Sequence, residues 1–114
     1  RSGAELKRAG AAVRAAGVEG ADLDDGSEPE RGSVAMGTMH LAKGPEFKCV
    51  AVMACDDEVI PSQDRIETVA DDADLEEVYD TERHLLYVAC TRARDRLLVT
   101  GTEPASEFLG DMVR

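Results

Sequence analysis

Glu82-Arg83-His84-Leu85-Leu86-Tyr87-Val88-Ala89-Cys90-Thr91-Arg92-Ala93-Arg94-Asp95-Arg96, followed at once by Leu97-Leu98-Val99, is the stretch on which the reading of this chain turns. Leu85, Val88 and Ala89 recur on one helical face, with Leu86, Cys90 and Ala93 beside it, so the first part is an amphipathic helix. Working back, Asp74 with Glu77 forms a possible capping box, which predicts the longest helix from Leu75 to about Ala93. Working forward, Arg96 to Gly101 reads as a buried strand. Arg92, Arg94 and Arg96 are then expected at the helix C-terminus, where the helix dipole favours cations. For Arg94 and Arg96 that electrostatic role suffices. Arg92 follows Thr91 at the end of the apolar stretch, in a place where a guanidinium can be held in one pose. A guanidinium so held can fork onto phosphate oxygens and stabilise charge developing on a transferring phosphoryl group.

Upstream lies Gly37-Thr38-Met39-His40-Leu41-Ala42-Lys43-Gly44-Pro45-Glu46-Phe47. Ser33 to Met39 alternates as a strand does, and Lys48 to Ala54 is a near-continuous apolar run. The second pattern predicts a parallel strand covered on both faces. Between them the chain turns, and in open parallel sheets ligands gather at the carboxyl ends of strands. Thr38, His40, Lys43 and Glu46 are expected there. An ordinary connecting turn punctuated by Gly44-Pro45 accounts for the same residues. His40 and Glu46 taken singly are no more than a surface histidine and a solvated carboxylate.

The rest of the chain sets limits. Its 114 residues suit one domain with one core. Aromatic residues make up only 4%, so that core must be aliphatic and rich in alanine. No apolar run approaches the ~18 residues of a membrane span, and no signal-peptide pattern occurs. Cys49, Cys55 and Cys90 are an odd set without CxxC spacing, which argues against disulfides and zinc and for buried free thiols in a reducing cytoplasm. Net charge is −11, from 24 acidic and 13 basic residues, which opposes nucleic-acid binding by this region alone.

Ser2 with Glu5 reads as a capping box for a first helix carrying Leu6, Ala9, Val13 and Ala16, with Gly17 as its C′ residue. Val18 to Leu23 is a candidate short strand. Residues 24–33 and 55–73 read as polar loops, and Glu107-Phe108-Leu109 as the start of a short terminal helix. Helices alternating with apolar strands predict an α/β fold with a mostly parallel sheet flanked by helices. Because the order opens on a helix, the outermost strands of such a sheet are expected to be missing. Val52 to Glu58 imitates a strand ending in magnesium-binding carboxylates, but no GxxxxGK[ST] phosphate loop accompanies it, so no metal site is assigned.

Thr38-Met39-His40-Leu41-Ala42-Lys43-Gly44-Pro45-Glu46-Phe47 resembles motif V of the UvrD/Rep-type superfamily-one DNA helicases. Glu82 to Arg94 is similar to their motif VI, and the order, the spacing and the intervening Val59-Ile60-Pro61 agree. The resemblance covers residues 34 to 110 closely. It implies the C-terminal part of the second RecA-like (P-loop NTPase-like) domain, over residues 1–114, of an ATP-driven translocase that separates DNA strands. Arg92 would be the arginine finger on the γ-phosphate, Glu46 would contact the nucleotide sugar, and Gly44 would permit the turn. Thr38, His40 and Lys43 would couple the ATP state to single-stranded DNA. ATP and Mg2+ would be held mainly by the first RecA-like domain, so the 114 residues alone are expected to hydrolyse nothing. Pro45 departs from the family's usual apolar residue, and proline both removes a backbone donor and restricts Gly44. Two further implications stand beside the motor: an acidic interaction module that kept the fold without the chemistry, and a subunit of a helicase–nuclease.

Overall fold

The computed structural model describes residues 1–22, 33–42 and 46–111. Their order is α1 (Gly3–Ala15), β1 (Gly20–Asp22), β2 (Val34–Met36), a 3-10 turn (Met39–Ala42), β3 (Phe47–Val52), α2 (Gln63–Glu67), α3 (Asp72–Cys90), β4 (Ala93–Val99) and a closing 3-10 turn (Glu107–Asp111). Most of the polar segment expected as a loop over 24–33, together with Lys43, Gly44 and Pro45, lies outside the described residues.

All strand pairing within these elements is parallel, as the α/β pattern predicts. Among the described residues the strands do not form one sheet, however. β1 pairs with β2, and β3 pairs with β4, as two separate two-stranded sheets. α3 is the crossover that a parallel β3–β4 pair requires. Its buried residues, Val78, Glu82, Leu86 and Ala89, repeat every three or four positions and form a single stripe. Leu86 and Ala89 meet Met39, Val52, Cys55, Ile60 and Phe108 in the core. Tyr79 packs edge-on against Phe108 with ring centroids 6.1 Å apart.

Several local expectations are corrected. α3 starts at Asp72, not Leu75, because the Asp71 carboxylate accepts the Asp74 N–H at 2.9 Å and takes the cap position. It ends at Cys90, so Arg94 and Arg96 lie on β4 rather than at the helix terminus, beyond the reach of its dipole. Ser2 precedes α1 but makes no side-chain cap; its hydroxyl donates instead to the Glu5 carboxylate. The 55–73 loop contains the short helix α2. β3 is not covered on both faces: Val52 is buried, while Lys48, Cys49 and Ala51 are exposed. Among the described residues one helix covers this two-stranded sheet, so its second face is open, Leu98 on β4 is 61% exposed and Cys49 is not the buried thiol expected.

Gly17 follows α1 at φ +75°, the left-handed C′ conformation that glycine adopts without steric cost. Gly101 is required by close approach. A Cβ there would stand 2.4 Å from the Cys55 carbonyl oxygen, where the chain after β4 passes the chain after β3.

Candidate functional site

The end of α3 delivers Arg92 to the start of the β3–β4 sheet. The Arg92 N–H reaches back to the Ala89 carbonyl at 3.3 Å, and the Arg92 carbonyl accepts the Phe47 N–H at 2.8 Å. That second bond joins the two motifs directly, because Phe47 is the neighbour of Glu46. The Arg92 side chain is half-buried; its Nε donates to the Val88 carbonyl and one Nη to the Thr91 hydroxyl, each at 3.3 Å. The guanidinium thus rests on the last turn of α3, where free carbonyls favour a cation.

Thr38 and His40 follow the carboxyl end of β2, as predicted for a ligand-facing turn. Glu46 does not share that position. It precedes the amino end of β3, exposed, next to Arg92 at the amino end of β4. The reason is the 3-10 turn Met39–Ala42, which carries the chain away from β2 before β3 begins. A cavity of about 460 Å³ is lined by Thr38 and Met39 after β2 and by Phe47 and Arg92 at the start of the β3–β4 pair, while His40 and Glu46 are not part of its lining. Lys43 and Gly44 are outside the described residues.

His40 sits at the surface with its ring partly desolvated. That burial, followed by the positive charge of Arg1, holds the imidazole below its ordinary value, so His40 is neutral at neutral pH. The positive charge next to it belongs to a cluster that sequence reasoning passed over. Glu82 is 1% exposed, and both of its oxygens accept from Arg1, at 2.8 and 3.1 Å. It also takes the Ser62 N–H at 2.8 Å and an Arg65 donor at 3.0 Å. Burial alone would raise its carboxyl; the Arg1 and Ser62 bonds and Arg65 outweigh it, and the group stays below the usual glutamate range. The signal for this was present: Glu82 falls between Val78 and Leu86, in phase with the apolar stripe.

Asp56, in the stretch that imitates a metal motif, is engaged otherwise. It accepts the Thr102 N–H at 2.7 Å and pairs with Arg8 at 2.7 Å. Burial pushes its carboxyl up, but these partners bring it below its ordinary value. Among the described residues no group of three or more His, Cys, Asp or Glu could hold a metal ion.

The chain belongs to the UvrD-like helicase C-terminal domain family, whose profile matches residues 17–104. It is 39% identical over 79 residues to the ATP-dependent DNA helicase UvrD1 of Mycobacterium leprae, covering 69% of this chain and 9% of that protein. Similar matches are DNA helicase II of Rickettsia typhi, 38% identical over 77 residues (68% of this chain, 11% of that one), and PcrA of Staphylococcus epidermidis, 39% over 80 residues (70% and 10%). Both are named as DNA helicases, and PcrA as ATP-dependent. Among solved structures, the C-terminal domain of a possible DNA helicase from Lactobacillus plantarum matches with a TM-score of 0.67 at 26% identity, over 96% of this chain and 56% of that one. The chain thus spans only about a tenth of the length of the curated relatives it matches.

Proposed function

We propose that these residues serve as the C-terminal part of the second RecA-like domain of an ATP-dependent DNA helicase, in which ATP hydrolysis drives movement along single-stranded DNA. The observation that carries the reading is the Phe47–Arg92 main-chain bond, which ties the end of the first motif, one residue after Glu46, to Arg92 of the second. Arg92 would leave the last turn of α3 to bring positive charge to the phosphoryl group being transferred, the part an arginine finger plays. Glu46 would accept a hydrogen bond from the nucleotide sugar. ATP supplies the free energy of hydrolysis when bound, and with Mg2+ it would be held mainly by the first RecA-like domain of the same protein.

Thr38, His40 and Lys43, after β2, would carry the state of that cleft toward DNA. A neutral His40 suits this role, since it can both donate and accept a hydrogen bond. With net charge −11, these residues would form one wall of the DNA track and not its main cationic surface. A reducing cytoplasm suits the exposed Cys49 thiol.

The test is ATP hydrolysis by the full-length gene product, with and without single-stranded DNA, beside strand separation of a tailed duplex. The expected result is hydrolysis stimulated by DNA, together with unwinding, while the 114-residue chain alone turns over no ATP. A full-length product that hydrolyses no ATP in either condition would instead mark an acidic interaction module that has kept the fold.

A further inference from the structure

Glu82 gathers more positive charge than it can cancel. Arg1 and Arg65 both bond to this one carboxylate, and among the described residues no other ion pair reaches either guanidinium. One positive charge is therefore left uncompensated next to a side chain that is 1% exposed. The two arginines are not equivalent. Arg1 spends two donors on Glu82, and its side chain is 15% exposed. Arg65 spends only Nη1, its one side-chain hydrogen bond among the described residues, and its side chain is 43% exposed. A guanidinium carries five N–H donors, so most of those on Arg65 are left for another acceptor while the bond to Glu82 holds its pose.

The place of this charge in the fold narrows what that acceptor is. The 3-10 turn Met39–Ala42 packs against α3, with Met39 in the same core as Leu86, one turn beyond Glu82. His40, exposed on that turn, feels the positive charge of both Arg1 and Arg65. Arg92 is remote by comparison: Glu82 lies eight residues, or about 12 Å, before the end of α3 at Cys90. The spare cation thus accompanies the turn that carries Thr38 and His40, and not the arginine assigned to the nucleotide.

We propose that Arg65, held by Glu82, contacts a backbone phosphate of single-stranded DNA beside His40. The inference rests on the reading of the Thr38–His40 turn as DNA-facing, and adds to it a cation that neither motif contains. A guanidinium meets phosphate oxygens in a fork, and fixing the side chain in advance lowers the ordering cost of binding. The contact reads charge and carries no sequence information. A single contact also accords with the net charge of −11, which opposes an extended cationic track on these residues.

The test is binding of a fluorescent oligothymidylate to the full-length product across a salt series, wild type beside Arg65→Gln, Arg65→Lys and Arg14→Gln. Arg14 lies at the opposite end of α1 from Arg1, and its substitution removes the same charge. Arg65→Gln should weaken binding roughly three- to tenfold at low salt. It should also lower the slope of log affinity against log salt by about 0.7, the share of one phosphate on a single strand. Arg65→Lys should restore most of that slope, and Arg14→Gln should leave it at the wild-type value. A purely structural partner of Glu82 would move the melting temperature and leave the slope alone. With wild type binding DNA, an unchanged slope in Arg65→Gln, or an equal fall in Arg14→Gln, would overturn the assignment of Arg65 by itself. A wild-type product that does not bind the oligonucleotide would overturn it together with the DNA-facing reading of Thr38 and His40.

Discussion

Glu82 shows how one side chain can decide whether a region holds its shape. It is a buried carboxylate with a bidentate Arg1 partner, an Arg65 donor and the Ser62 N–H, so it ties α3 to the segment leading into α2. Replacing it with alanine leaves those donors facing a hole, and Glu82→Ala should cost about 2–3 kcal/mol in urea denaturation. Glu82→Gln keeps the shape and one acceptor oxygen, and should cost about 1 kcal/mol. The same group sets an acid limit. Its folded value lies below its ordinary 4.5, so the unfolded chain takes up the proton first as pH falls. The stability it contributes is complete above about pH 4.5 and is lost on descending below it; Asp56 adds a loss of the same sign below 3.8. Denaturation curves between about pH 5 and pH 3 should show falling stability, with a shallower fall in Glu82→Gln.

At the scale of the elements, helices and parallel pairing were legible, and boundaries were less so. Asp71-x-x-Asp74 and Asp74-x-x-Glu77 are equivalent as local cap signals. Asp71 prevails because its carboxylate accepts the Asp74 N–H at 2.9 Å, which caps the helix one turn earlier. Likewise Ala93-Arg94-Asp95-Arg96 has a charged composition foreign to a buried strand. It becomes β4 because Phe47 and Cys49 pair with Ala93 and Arg96, with one irregularity between them. Pairing across the sheet overrides intrinsic preference there. Glycine contacts between elements are equally invisible to local patterns, and they differ in consequence. At Gly101 an added Cβ meets a main-chain carbonyl at 2.4 Å, whereas at Gly20 it meets the mobile end of Met36 at 2.8 Å. Gly101→Ala should cost about 2–3 kcal/mol, and Gly20→Ala less than about 1 kcal/mol, both by chemical denaturation.

For the whole molecule, the family was readable from two short motifs because their chemistry-bearing residues are few and their order is fixed. What spacing could not convey was their arrangement. Thr38 and His40 lie beyond the carboxyl end of β2, while Glu46 and Arg92 immediately precede β3 and β4, where the Phe47 N–H bonds the Arg92 carbonyl. Arg92 carries most of the proposed chemistry and lies outside the buried core. Its guanidinium bonds to the exposed last turn of α3, so the stability of Arg92→Ala is to be measured beside its activity. The most direct measurement is single-turnover ATP hydrolysis by the full-length product, wild type beside Arg92→Ala, with nucleotide affinity measured on the same samples. Hydrolysis should fall on the order of 10³–10⁵-fold while nucleotide still binds. A variant that hydrolyses ATP as fast as wild type would contradict the assignment of Arg92 and, with it, the reading of this region as part of a motor.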